Sequence, residues 1–359
     1  MTTTTATLRM LLLICISLGQ IRLVSMQSIT MPIDGVYLIT MAADPGERTD
    51  MFLQFNGRDS GFVAYGIDQA VGGLGVAVYL EAGTKVSVRY TGYAQEYSTL
   101  GVGFVSSEKR FVTLRLNEGQ SAGPSNIVWF DQRLLATGAW IRNYAEDNYM
   151  RVGVSGMYWL AVRPDCGNGA VSLDVGPGLF KVFCDGDKAL SASGAFYLKA
   201  QRNLKATFTS GYLQSGTTFS FVRLEGNQQK YIKHSHHIAF TAWTDRVGGH
   251  KVSEWLSFNK AKATDYGSLY NSAKRTWTIP TTGNYIVSMR GDPGAGRNTL
   301  KVLLYKNNNK YVFSWFAQLG TTSGQAACFQ FNKGDTLWMV NFYGSHVGKE
   351  TFMSIALLW

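Results

Sequence analysis

Charge is scarce in this sequence, and recognisable chemistry is scarcer. Only 16% of the 359 residues are Asp, Glu, Lys or Arg, and no run of like charge reaches five residues. That excludes a polyelectrolyte tail. Hydrophobic residues make up 45% of the chain, which excludes a disordered one. The 39 Gly never fall into Gly-x-y triplets, so there is no collagen stalk. No Asn-x-Ser/Thr acceptor occurs, and N-glycosylation is not expected. There is no P-loop, no Cys-x-x-Cys and no His-Glu-x-x-His. Ser, His and Asp are present, but no spacing unites them, so the expectation is a protein that is not an enzyme.

The first residues do carry a signal. In MTTTTATLRMLLLICISLG, Arg9 is followed by the apolar run Met10 to Leu18, and Ser17-Leu18-Gly19 offers a small-x-small cleavage site. This reads as a secretory signal peptide over residues 1–19, too short for a span of roughly 20 apolar residues. No later segment is long and apolar enough to cross a membrane. Secretion would remove Cys15 and leave Cys166, Cys184 and Cys328. An odd count in an oxidising compartment means one bridge plus a spare thiol, or an intermolecular bond. Cys166 and Cys184 flank two candidate strands; if these form a hairpin, the sulfurs come close, so this pair is the expected bridge. Cys328 lies in an apolar strand and is expected to be a buried thiol.

What is present is a repeat. GVYLITMAADPG begins at Gly35, GMYWLAVRPDCG at Gly156 and GNYIVSMRGDPG at Gly283. Each has Tyr two residues after the first Gly, Asp nine after it and Gly eleven after it. Apolar residues alternate between, as in Tyr37, Ile39 and Met41, the pattern of a half-buried strand. The Asp and Gly that follow are turn residues. A second signature, Leu80 to Val86, recurs as Phe331 to Leu337 with Gly83 matching Gly334; the middle copy, Leu198 to Leu204, has Gln201 there instead. Phe111-Val112-Thr113-Leu114 and Ile238-Ala239-Phe240-Thr241 open the second and third copies. The first copy lacks roughly its opening 35 residues. Either the gene is read from too late a start and the signal peptide is fortuitous, or the first unit lacks its opening strands, in which case the exposed edge calls for another cover. No amphipathic helix is discernible. Short strands separated by turns predict an all-β chain of tandem jelly-roll sandwiches. The expected division is 20–106, an incomplete first unit; 107–225, the second; and 226–359, the third.

The third unit carries a resemblance. HIAFTAW, WLSFNKA, WTIPTTGNYIVSM, KGDTLWMVNF and TFMSIALLW together resemble the globular head domain of complement component 1q, in a superfamily with the tumour-necrosis-factor cytokines. The resemblance covers nearly all of 226–359 and is weaker upstream. It implies a ten-stranded jelly roll that trimerises about a three-fold axis. Three units in one chain, joined by short connectors near 106–110 and 225–237, would then form a single-chain pseudo-trimer, the alternative being a homo-oligomer.

The formal charge of +10 favours anionic partners. The main expectation is a secreted, lectin-like recognition protein of innate-immune type that binds glycan, a microbial surface or a cell-surface receptor through its loops, with no role for nucleic acid. The alternative is a structural or adhesive extracellular matrix or egg-coat protein that uses Arg290-Gly291-Asp292 for cell attachment. No cofactor is expected. Calcium on the recurring Asp44, Asp165 and Asp292 is conceivable on the resemblance, but their spacing does not supply the six or more oxygens required. His234, His236 and His237 read as a polar connector rather than a metal site.

Overall fold

In the computed structural model every regular element among the described residues is a strand. The described residues are 21–22, 28–43, 49–66, 72–92, 98–106, 111–116, 120–121, 132–136, 141–144, 149–174, 179–184, 191–214, 216–224, 239–243, 248–249, 256, 260–264, 269–291, 300–307, 309–317, 323–343, 346–347 and 351–358.

The third sandwich shows the plan. One five-stranded sheet runs Lys260–Thr264, Ala239–Trp243, Phe352–Leu357, Gly283–Gly291 and Ser323–Phe331; the other runs Tyr270–Asn271, Thr276–Thr278, Thr336–Tyr343, Leu300–Lys306 and Asn309–Ala317. From Gly283 onward the chain passes from the first sheet through two strands of the second, back to the first, again to the second, and ends in the first. That alternation is a jelly roll. The second sandwich repeats the first sheet with Gln132–Ala136, Phe111–Arg115, Thr218–Arg223, Gly156–Arg163 and Ala192–Leu198. In the first sandwich the same sheet has Thr99–Ser106, Gly35–Ala43 and Gly72–Leu80, and among the described residues the place of the opening strand is taken by Ile21–Arg22. That fragment pairs with Leu100 and Thr99. Among the described residues the edge at that place is therefore covered at one end.

Three strands recur in all three sandwiches, and a fourth in the second and third. The central strands are Gly35–Ala43, Gly156–Arg163 and Gly283–Gly291; the edge strands are Gly72–Leu80, Ala192–Leu198 and Ser323–Phe331. The return strands are Thr99–Ser106, Thr218–Arg223 and Phe352–Leu357, and the opening strands are Phe111–Arg115 and Ala239–Trp243.

Local chemistry repeats with them. Tyr37, Tyr158 and Tyr285 each donate a hydroxyl hydrogen bond to the carbonyl four residues back, at Ile33 (2.8 Å), Val154 (2.8 Å) and Thr281 (2.7 Å). The phenol can thus lie in the core while its polar end is satisfied. The turn after each edge strand is held alike: the N–H groups of Gly83, Gln201 and Gly334 donate to the carbonyls of Met31 (2.8 Å), Val152 (2.7 Å) and Ile279 (2.8 Å). Gly83 and Gly334 have φ of 84° and 90°, and Gln201 follows them into the left-handed region at 68°. The missing Gly is therefore a strained substitution, not a different turn. Left-handed strain costs a non-Gly residue about 1–2 kcal/mol, against about 0.4–1 kcal/mol of extra unfolded-state entropy for Gly. Gln201→Gly is expected to raise stability by about 0.5–1 kcal/mol, read as a higher urea midpoint; a lower midpoint would refute the account.

Each sandwich has its own core: Ile39, Met51 and Val76 in the first, Leu160, Leu198 and Phe221 in the second, Trp277, Val287 and Phe331 in the third. A fourth core belongs to all three. Val36, Leu38 and Ala77 meet Met157, Trp159 and Ala195, and these meet Ile286, Cys328 and Leu358. The central strands are accordingly buried on both faces.

Candidate functional site

The shared core is built one way three times: the edge strand of one sandwich lies on the first sheet of the next. In the first junction, Gly75 sits against the Trp159 ring, where a Cβ would lie 2.6 Å from Cη2. Beside it Thr113 donates to the Ala77 carbonyl at 2.6 Å. In the second, Ser193 and Ser288 hydroxyls share a hydrogen bond of 2.9 Å, Ser191 donates to the Gly324 carbonyl at 3.0 Å, and the Ala195 N–H donates to the Ser354 hydroxyl at 2.9 Å. In the third, Cys328 and Leu358 cover Gly103, and the Cys328 backbone lies over Gly101. Small residues at the same register on the edge strands (Gly75, Ser193, Ala326) permit the approach.

Strand register sets the three sandwiches level. Thr40, Ala161 and Ser288 each stand five residues after their first Gly. Gly75 pairs with Thr40 and touches Ala161; Ser193 pairs with Ala161 and bonds Ser288. Cys328 pairs with Ile286 and touches Gly103, which pairs with Leu38, so the third junction lies at the same height. Equivalent turns therefore share one end of a three-membered ring.

The sequence candidates fall around this ring rather than together. Arg290 is 2% exposed, paired along the backbone with Gly324 and Phe352. Gly291 ends the strand opposite Ser323, and Asp292 and Asp44 lie outside the described residues. Asp165 is bound internally: Arg163, 1% exposed, donates to its Oδ2 at 3.2 Å and to the Gly216 carbonyl at 2.9 Å. That contact sets a cation beside the one recurring Asp that is described, which disfavours calcium there. His234, His236 and His237 also lie outside the described residues. Among the described residues no group of three or more His, Cys, Asp or Glu could hold a metal ion, and no helix is long and apolar enough to cross a membrane.

Cys166–Asp174 and Leu179–Cys184 do form the expected hairpin, but Cys184 stands opposite Gly169, three residues from Cys166. That offset is about 10 Å along a strand, beyond the roughly 7 Å of Cα separation that a disulfide spans. Cys328 is 4% exposed, and burial pushes its thiol up to about 12.

One chemical motif escaped the sequence reading. Gly119-Gln120-Ser121-Ala122-Gly123 has the Gly-x-Ser-x-Gly spacing of a hydrolase nucleophile elbow. An elbow needs a strand-to-helix turn, whereas Gln120–Ser121 is a strand paired with Leu213 and Tyr212.

The sheet order and the chain path define an all-β jelly-roll protein. No family model and no curated protein matches the chain. Solved structures similar to parts of it include the zebrafish complement 1qA globular domain, 14% identical over 34% of this chain and 97% of that one, with a TM-score of 0.28. Murine APRIL is 18% identical over 32% of this chain and 98% of its own, with a TM-score of 0.27. Rabbit GITRL is 22% identical over 24% and 72%, with a TM-score of 0.20.

Proposed function

We propose that the protein is a secreted, non-enzymatic recognition molecule made of three complement-1q-like units, acting as a single-chain pseudo-trimer and binding an anionic glycan or microbial surface without a metal. The observation that carries this is the core shared by all three sandwiches. It occupies the outward face of every central strand, and so leaves the loops, the second sheets and the turn end of the ring for a partner. At that end Lys199 and Lys333 are exposed on the turns that follow the edge strands, and Lys85 and Lys205 are exposed just beyond them, against Glu81 on the first turn. A level ring brings these charges to one side, where they sum at low ionic strength and are screened at high.

Mass in solution and binding to a glycan array or whole microbes test the reading together. A one-chain mass across concentrations, with binding at low salt that falls when the four lysines become Glu, supports it. Three times that mass, or no binding at low salt, overturns it. The bridge between Cys166 and Cys184 is a separate proposal that needs the register at the Cys166 end to shift. Thiol counting before reduction checks it: two blocked thiols support the bridge, and three free thiols refute it. Arg290 is shielded from an adhesion receptor, so nothing among the described residues favours the matrix reading.

A further inference from the structure

The three junctions are not equal. A linear chain joins three units by two connectors, so one junction has no peptide across it; here it is the third, between the third and first sandwiches. Among the described residues, the same junction has no more than Ile21–Arg22 in the place where the other two have an opening strand. In the first junction that strand contributes Thr113, whose hydroxyl reaches across to the Ala77 carbonyl at 2.6 Å. In the first sandwich Ile21–Arg22 is paired there with Leu100 and Thr99, and among the described residues no pairing reaches Gly103 from that side. Third, the junction buries a polar group at a loss. Thr40 is 1% exposed, and among the described residues its hydroxyl has no hydrogen-bond partner. Its equivalent Ser288 is bonded across the second junction, at 2.9 Å to Ser193. What holds the third junction is close packing on glycine: Cys328 and Leu358 lie where a Cβ on Gly103 would be, at 2.8 Å from Sγ and 2.6 Å from Cδ1.

We propose that the ring opens at this seam in the native protein, and that a second copy of this chain exchanges through it. The inference rests on the single-chain ring proposed above. An open chain presents the edge strand Ser323–Phe331 at one end and the face of Gly35–Ala43 and Thr99–Ser106 at the other. These surfaces are complementary but different, so the contact is head to tail. Between two chains it closes again as a six-sandwich ring. Closed and exchanged forms contain the same contacts. Seam strength therefore sets the rate of exchange, and concentration sets the balance.

Cys328 reports opening, because its thiol is sealed only while the seam is shut. Alkylation of the full-length protein under native conditions, read at Cys328 by peptide mapping, measures the open fraction. Thr40→Val removes the stranded hydroxyl at nearly constant shape and is expected to slow alkylation about tenfold. Gly103→Ala forces a methyl into Cys328 and Leu358 and is expected to quicken it about tenfold. Val162→Ala, in the second sandwich's own core, should leave the rate within about twofold, because local opening does not report global stability. On concentration, a species of twice the chain mass should appear at rates ordered like the alkylation rates and persist after dilution. Equal sensitivity to Val162→Ala and Gly103→Ala, or the absence of the double-mass species, overturns the proposal. A three-chain mass in the unconcentrated protein would instead overturn the single-chain ring itself.

Discussion

Trp159→Ala is expected to destabilise the whole chain by about 3–5 kcal/mol, the cost of emptying a large aromatic site in a close-packed core. The ring is 0% exposed, and it lies between sandwiches rather than inside one. The loss should therefore appear as one cooperative transition moved to lower urea, followed by far-ultraviolet circular dichroism. Three independent sandwiches would instead show one early transition and two unchanged ones. The indole Nε1 is buried with no hydrogen-bond partner among the described residues. Trp159→Phe removes that unpaired donor along with some volume, so its loss should be smaller, about 1–2 kcal/mol. A double-mutant cycle identifies the contact. Gly75→Ala alone drives a methyl to within 2.6 Å of the Trp159 ring, which should cost about 1–3 kcal/mol. With Phe at 159 the clash is relieved, and the two changes should couple by about 1 kcal/mol or more. Additive losses would mean that the first and second sandwiches do not meet there.

The repeat made most of each sandwich legible. Identical offsets of Gly, Tyr, Asp and Gly marked the central strands, and the Tyr hydroxyl bonds at Ile33, Val154 and Thr281 show why that Tyr recurs. Pairing of Ile29 with Val86 and of Trp277 with Leu337 follows from the same alignment. The ring was half legible. Alternation of Tyr37, Ile39 and Met41 was read as one buried face, yet the other face, Val36, Leu38 and Thr40, is just as sealed. Apolar residues on both faces of a strand state that something covers each, but not what. The answer was available in a second repeat, the small residues of Gly72-Gly73-Leu74-Gly75, Ser191-Ala192-Ser193-Gly194 and Ser323-Gly324. Small side chains on an edge strand look like weak strand formers until a neighbour's sheet is seen to need the room. The unequal junctions were not legible, because they turn on a contact between residues some 225 positions apart in the chain, Gly101 against Cys328.

Arg163→Ala is expected to cost about 2–3 kcal/mol, the penalty for leaving a buried carbonyl and a partly buried carboxylate short of their donor. The guanidinium is 1% exposed, and it satisfies both the Asp165 carboxylate at 3.2 Å and the Gly216 carbonyl at 2.9 Å. Its removal leaves the carboxylate and the carbonyl short of a donor beside a Gly held at φ 97°. Arg163→Lys should recover less than half of the loss, because an ammonium cannot fork between the two acceptors. Urea unfolding of the three proteins checks this, and a loss below about 1 kcal/mol for Arg163→Ala refutes it. The result bears on the tripeptide Arg290-Gly291-Asp292, because Arg290 occupies the same place in the third repeat and is 2% exposed. An arginine so enclosed is withdrawn from any receptor. Arg290→Ala should therefore behave as Arg163→Ala does and lower stability, whereas a residue serving attachment would leave folding intact. Asp292→Glu separates the two roles from the other side: unchanged cell attachment with secretion intact would show that the triplet is a strand end that spells an adhesion motif, and lost attachment would restore the adhesive reading.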